Sequence, residues 1–178
     1  MRRVSFSVLA AVMAVALVLV WGPPAQASGE EHCVVEVVGE KPNGELRLSR
    51  PRCHSSFADA MLDASDGLMQ LSVDVASDVV FNDELVGVMV STFALGIHYD
   101  GFGGSGSSIT VVGSSCTGGW WNTTSSWDNR ISSSYNGCSR LTHWDSPNKR
   151  GSYQSTYGSG STDDLSYMNN RAESVSYH

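Results

Sequence analysis

The C-terminal half of this chain contains a repeat of about forty residues, which limits the folds that the chain can adopt. The motif HYD at residues 98–100, followed by a glycine turn, recurs as HWD at residues 143–145. Further on, WDNRISS at 127–133 recurs in the same order as MNNRAES at 168–174. A unit this short cannot bury an apolar face alone, so the repeat predicts two similar units that share one core.

The composition of this half predicts β-structure. Residues 93–178 are rich in Ser, Gly, Thr and Asn, and short apolar or aromatic stretches stand between turn clusters. That pattern is typical of an antiparallel β-domain. A doubled unit with several strands per copy predicts two Greek keys packed as a sandwich, with the first at about residues 93–136 and the second at about 139–178.

The N-terminus has the pattern of a secretory signal peptide. Arg2 and Arg3 precede an uncharged apolar run at residues 4–21, and A-Q-A follows at 25–27. The run is long enough to be an uncleaved anchor, but the A-x-A site favours removal of residues 1–27. We therefore expect a secreted, extracellular product that is not held in a membrane.

Charge and aromatic content change sharply near residue 90. Residues 28–90 carry a net charge of −8 and no Tyr or Trp, whereas residues 91–178 carry −1 with all six Tyr and four of the five Trp. We therefore expect a small acidic α+β segment at 28–90 before a β-domain at 91–178, which makes the chain mainly β. Because the chain is acidic and has no Lys/Arg cluster, we do not expect nucleic acid or an anionic membrane as a partner. We expect a monomer.

The acidic segment contains local signals for a hairpin and one helix. Residues 33–49 hold two strand patterns around a Pro-Asn-Gly turn. Apolar residues spaced i, i+3, i+4 and i+7 then predict an amphipathic helix that Ser55 or Ser56 caps and Gly67 ends. Residues 68–73 are expected to return as a third strand.

The chain has four cysteines, Cys33, Cys53, Cys116 and Cys138. Their even number in an exported chain predicts two disulfides rather than thiolate chemistry or a metal site. Three pairings are possible. We favour Cys33 with Cys53 and Cys116 with Cys138, because each then closes a short loop within one half of the chain.

The segment D-N-R-I-S-S at residues 128–133 resembles the calcium clamp [ND]-[ND]-x-x-[ST]-S of the βγ-crystallin family at every position. The C-terminal half is also similar to the related microbial, actinobacterial metalloproteinase inhibitors. In that family paired Greek keys share their calcium sites. The resemblance thus implies a ligand set drawn from both copies, namely Asp128, Asn129, Ser132, Asn169, Asn170 and Glu173, with hairpin carbonyls near Asp100 and Asp145.

The second clamp departs from the family pattern at one position. Carboxylate, amide, hydroxyl and carbonyl oxygens all suit calcium, but Glu173 stands where the family has a hydroxyl. We therefore expect calcium as a cofactor at one weak site rather than at two good ones. The alternative is that these Asp, Asn and Ser residues only bond their own backbone in Asx or Ser turns.

The sequence carries no G-x-S-x-G, H-E-x-x-H or isolated reactive cysteine, so we do not expect an enzyme. The resemblance implies a secreted protein-binding module, first of all a peptidase inhibitor whose partner is a secreted metalloproteinase. Its candidate contact is the loop between Cys116 and Cys138, with residues 120–124 at the tip. The alternative is a calcium-stabilised extracellular structural or envelope protein without a protease target.

Overall fold

A computed structural model describes residues 29–67 and 94–178 of the chain. The signal peptide expected at residues 1–27 and the strand expected at 68–73 lie outside these described residues. Within them, no helix has the length and apolar character needed to cross a membrane.

The described part of the chain is mainly β, as expected, with one α-helix. The helix, α1, covers Phe57–Ala64. The strands in chain order are β1 His32–Glu40, β2 Leu46–Leu48, β3 Arg52–His54, β4 Ala94–Tyr99, β5 Ser108–Val112, β6 Trp120–Asn122, β7 Ser133–Asn136, β8 Arg140–Ser146, β9 Arg150–Tyr157, β10 Ser161–Asp164 and β11 Ser174–Tyr177.

The strands form two sheets, and each copy of the repeat contributes one strand to the sheet that the other copy mainly forms. One sheet has the order β10-β7-β4-β5-β1-β2, with β3 also paired to β1, and the other has the order β6-β11-β8-β9. The first copy thus supplies β4, β5 and β7 to one sheet and β6 to the other. The second copy supplies β8, β9 and β11 to the smaller sheet and β10 to the larger one. Neither copy can complete a sheet without its counterpart.

The hairpin and the helix predicted for the acidic segment are confirmed. β1 and β2 pair as an antiparallel hairpin. Ser56 is the N-cap of α1, where its hydroxyl accepts the backbone N–H of Asp59 at 3.1 Å and so satisfies a helix donor that has no partner within the helix.

The acidic segment continues the sheet of the C-terminal half. β1 lies parallel to β5, with His32 opposite Ser108 and Glu36 opposite Val112. The expected division at residue 90 falls outside the described residues. The described residues on its two sides share one hydrogen-bonded sheet.

The fold has three layers and two apolar cores. The first core fills the space between the sheets and includes Trp121, Leu141, Met168 and Val175. The second core lies on the other face of the larger sheet, where Phe57 and Met61 of α1 pack with Ile97, Tyr99 and Tyr135. The helix therefore covers the outer face of the larger sheet.

Both disulfides join residues within one half of the chain. Cys33 bonds to Cys53, which links the paired strands β1 and β3. Cys116 bonds to Cys138 and closes the loop that contains β6 and β7. This is the pairing that the sequence favoured.

Candidate functional site

The two clamp segments are turns that pack against each other across the repeat. The backbone N–H of Asn129 donates to the carbonyl of Ala172 at 3.1 Å, and the N–H of Asn170 donates to that of Ile131 at 2.9 Å. Both asparagines have left-handed backbones, with φ of 55° and 53°. Asn tolerates this conformation better than most residues, so its recurrence at both positions has a physical cause.

Each turn is anchored to the hairpin of its own copy by a buried serine. The hydroxyl of Ser133 donates to the carbonyl of Gly101 at 2.6 Å, and that of Ser174 donates to the carbonyl of Ser146 at 2.8 Å. Each hydroxyl also accepts a backbone N–H from the same hairpin. The equivalent bonds in both copies give the paired turns an approximate twofold symmetry.

Three oxygen atoms from both copies converge at Ser132. Its buried hydroxyl lies 2.8 Å from the carbonyl oxygen of Asp100 and 3.2 Å from the side-chain oxygen Oδ1 of Asn170. The neighbouring Asn169 holds a buried side-chain oxygen that has no hydrogen-bond partner among the described residues. Carbonyl, hydroxyl and amide oxygens are ligand types that calcium accepts.

The other predicted ligands do not form an equivalent second cluster. Glu173 occupies the position of Ser132 in the second copy, and only its backbone is hydrogen-bonded among the described residues. The carboxylate of Asp128 accepts a bond from the hydroxyl of Thr123 at 3.2 Å, which is a turn-stabilising role. The exposed side chain of Asn129 makes no hydrogen bond within the same region.

Two arginines at matching positions form ion pairs beside these turns. Neither arginine was among the site residues predicted from the sequence. The guanidinium of Arg130 lies 2.7 Å from the Asp100 carboxylate, and that of Arg171 lies 3.1 Å from Asp145. Each pair was signalled by an Arg at the third clamp position and an Asp at the end of the HYD or HWD motif. These carboxylates are therefore partly neutralised, which lowers the negative potential near the converging oxygens.

The two histidines of the repeated motifs meet in a buried polar chain between the sheets. Trp121 can only donate, and its N–H reaches the hydroxyl of Tyr177 at 2.7 Å. That hydroxyl lies 3.0 Å from Nε2 of His98, whose Nδ1 lies 2.8 Å from the hydroxyl of Ser134. Ser134 in turn lies 2.9 Å from Nε2 of His143.

The donor-only indole favours one direction for this chain of bonds, because Tyr177 accepts from it and keeps its own proton to donate. If Tyr177 donates to Nε2 of His98, then His98 carries its proton on Nδ1 and donates to Ser134. Ser134 then donates to His143, which leaves the buried Nδ1–H of His143 without a partner among the described residues. Burial lowers the pKa of His143 to about 3. Burial, and secondarily the charge of His143, also lowers the pKa of His98.

The loop at residues 113–119 is exposed in part and held at several points. The Cys116–Cys138 disulfide fixes it, and the N–H of Gly118 donates to the carbonyl of Tyr177 at 2.7 Å. Trp120 and Trp121, expected at the exposed tip, are instead buried in β6. The ring of Trp121 fills the core between the sheets, as the high density of Trp in a small β-domain favours, and the ring of Trp120 lies against Asn43 and Lys149.

A cluster formed by Glu31, Cys33 and Cys53 has the proximity of a metal site. Its two sulfurs are bonded to each other, so they offer no thiolate to a metal. We assign it a structural role only.

Comparison with known proteins found no matching family model, no similar curated protein and no similar solved structure.

Proposed function

We propose that this chain is an exported, calcium-stabilised module whose residues 94–178 are paired crystallin-type Greek keys, and that it binds one calcium ion between its two turns. The observation that carries the proposal is the convergence of Asp100, Ser132 and Asn170. Oxygens from both copies would then hold one ion, which makes the two units stabilise each other.

The strand exchange supports the crystallin-type arrangement. Each copy contributes three strands to one sheet and its remaining strand to the other, and the paired turns are related by an approximate twofold axis. The two disulfides fit an oxidising, extracellular environment. These features agree with the family resemblance of the repeated sequence.

The donor set fits calcium, but it predicts weak binding. It provides the carbonyl of Asp100, the hydroxyl of Ser132 and the amide oxygen of Asn170. All three are uncharged, and the nearby Asp100 carboxylate is paired with Arg130. We expect a dissociation constant of roughly 10⁻⁴ to 10⁻³ M, as in other extracellular modules.

Thermal unfolding in calcium and in chelator tests the proposal. A ligand that binds only the folded state raises its stability by mass action, so 10 mM calcium at a dissociation constant of about 1 mM should contribute about 1.4 kcal/mol. This corresponds to a rise in Tm of about 4 °C. An unchanged Tm would contradict calcium binding.

A matched pair of variants locates the ion. Asn170→Gly removes the amide oxygen and keeps a residue that accepts the positive φ, and Asn129→Gly makes the same change in the other turn. We expect Asn170→Gly to abolish the calcium-dependent rise in Tm and Asn129→Gly to retain it. The reverse result would place the ion in the other turn and contradict the assignment.

The second candidate function is inhibition of a secreted metalloproteinase, with the disulfide-fixed loop at residues 113–119 as the contact. Ser114, Ser115 and Thr117 are exposed on it, while Cys116 and Gly118 hold its backbone. A loop fixed before binding loses little conformational entropy when it enters a protease cleft.

Titration of a thermolysin-like zinc protease with the exported chain tests this candidate. We expect turnover to fall with the native protein and to be less affected by a variant that lacks Cys116 and Cys138. Undiminished turnover at a micromolar excess of native protein would exclude the candidate for this protease class.

A further inference from the structure

The outer face of the four-stranded sheet contains an open groove of about 420 Å³. Its floor comes from β8, β9 and β11, whose outward residues lie opposite one another. Tyr157 pairs with Arg140, and Tyr153 pairs with Trp144. The groove lies on the side of the molecule away from α1, since α1 packs on the other sheet.

Aromatic rings line one side of this groove. The rings of Trp144 and Tyr153 are in contact, with centroids 4.8 Å apart. Tyr153 and Tyr157 are 58% and 69% exposed, although tyrosine rings usually bury much of their surface. They are four residues apart on one strand, so they share a face and stand about 13 Å from each other.

Three basic side chains, Arg140, Lys149 and His178, line the same groove, and no acidic side chain does. Neither Arg140 nor Lys149 forms an ion pair with a described residue, although Lys149 lies over the ring of Trp120 at 5.5 Å. Burial lowers the pKa of His178, and the charges of Arg140 and Lys149 lower it further. The groove therefore holds two cationic side chains, Arg140 and Lys149, and no acidic side chain of the lining neutralises them, although the chain as a whole has a net charge of −7.

The remaining lining residues are hydroxyl-bearing. Thr142 and Ser155 lie side by side, with oxygens 2.9 Å apart, and Ser176 accepts the indole N–H of Trp144 at 3.5 Å. Hydroxyls and flat aromatic faces together complement a sugar ring, which presents hydroxyls at its edge and C–H groups on its faces. Basic side chains complement a carboxylate.

We propose that this groove binds an acidic polysaccharide through its uronate units. The exposed tyrosines pack against the sugar rings, and Arg140 and Lys149 bind the carboxylates. An acidic peptide is the less favoured ligand. A peptide commonly binds by pairing with an edge strand, which here is β9. Residues 164–167 of the same chain already lie beside β9, because the side chain of Gln154 bonds to the carbonyl of Asp164 and to the N–H of Tyr167.

Calorimetric titration of the exported chain with an oligogalacturonate tests the proposal. The titrations are run in chelator, because carboxylates also bind calcium. This separates the result from the calcium proposal. We expect binding that weakens as salt is raised, since the attraction is partly electrostatic, and about tenfold weaker binding of a neutral maltooligosaccharide.

Two matched pairs of variants test the assigned residues. Lys149→Gln should weaken binding about fivefold, while Arg150→Gln, on the same hairpin but outside the groove, should change it less than about twofold. Tyr157→Ala should likewise weaken binding about fivefold. Tyr167 is also exposed but lies outside the groove, so Tyr167→Ala should leave the affinity unchanged.

Three results would overturn the proposal. The first is the absence of binding at millimolar oligogalacturonate. The second is equally tight binding of poly-glutamate, which would indicate an acidic peptide ligand or nonspecific charge attraction. The third is equal weakening by the groove variants and their controls, which would place the binding elsewhere on the surface.

Discussion

The hydroxyl of Ser132 in the first copy of the repeat lies 3.2 Å from the side-chain oxygen of Asn170 in the second. The two residues are 38 positions apart in sequence and belong to different copies of the repeat. A ligand held by this pair would connect the two copies of the repeat. The proposed calcium site is therefore also a site that stabilises the fold.

The serines that anchor the turns should be more important for stability than their size suggests. We expect Ser133→Ala to lower the free energy of unfolding by about 1–3 kcal/mol, because it leaves the Gly101 carbonyl without its donor in a buried region. Urea unfolding measures the change. The exposed Ser159 also donates to a carbonyl, and Ser159→Ala should cost less than about 0.5 kcal/mol. Equal costs for both variants would contradict the anchoring role.

Gly151 is required by space as well as by backbone conformation. A Cβ there would collide with the carboxylate of Asp145, which pairs with Arg171, whereas a Cβ at Gly158 would meet no atom closer than 3.9 Å. Both glycines have positive φ, so alanine at either site costs roughly 1–2 kcal/mol. We expect Gly151→Ala to cost at least about 1 kcal/mol more than Gly158→Ala in urea unfolding. Equal values would show that Asp145 moves aside freely.

The buried histidines should make the protein sensitive to mild acid. Their pKa values are lowered in the folded state, so below pH 6.5 the unfolded chain binds more protons than the folded one. The free energy of unfolding is therefore highest above about pH 6.5 and falls as the pH decreases. The contribution of His143 continues to fall until the pH reaches its folded pKa of about 3. Each of His98 and His143 should contribute a loss of about 1.4 kcal/mol per pH unit.

Urea unfolding between pH 7 and pH 5 measures this dependence. His143→Gln keeps an acceptor for Ser134 without a titrating ring, so it should remove about half of the loss. His178→Gln is the control, since that ring is only partly buried and should affect the slope much less. A native protein whose stability is constant over this range would contradict the proposed buried, neutral pair.

The Cys116–Cys138 bridge should stabilise the fold without contributing to the calcium site. The two cysteines are 22 positions apart in sequence. Replacing both, Cys116→Ala with Cys138→Ala, should lower the free energy of unfolding by about 3 kcal/mol, because the unfolded chain regains the entropy of the open loop. Thermal unfolding with and without calcium checks this. We expect a lower Tm and an unchanged calcium-dependent rise. Loss of that rise would mean that the disulfide loop positions the ligands.

Local sequence signals predicted the elements whose structure depends on near neighbours. Ser56 capped the helix and Gly44 ended the hairpin turn with a positive φ, as turn and cap chemistry require. The parallel pairing of β1 with β5 could not be predicted in this way. It joins residues that are far apart in sequence, and a strand pattern does not specify its partner.

The candidate site was predicted in part for a related reason. The family resemblance implied that Ser132 and Asn170 act together, because paired Greek keys of that family share their calcium sites. The ion pairs of Arg130 and Arg171 were missed, although both arginines stand at the same clamp position. Their role depends on the Asp residue that the fold brings beside each one, and this proximity is visible only in three dimensions.

Calorimetric titration of the protein with calcium, with magnesium as the comparison, tests whether the two copies of the repeat share one calcium site. We predict one site per chain with a dissociation constant of roughly 10⁻⁴ to 10⁻³ M, weaker magnesium binding, and loss of calcium binding in Ser132→Ala and Asn170→Gly but not in Asn129→Gly. No heat of binding at 10 mM calcium, or binding that is unaffected by changes at Ser132 and Asn170, would contradict a calcium site shared by the two copies.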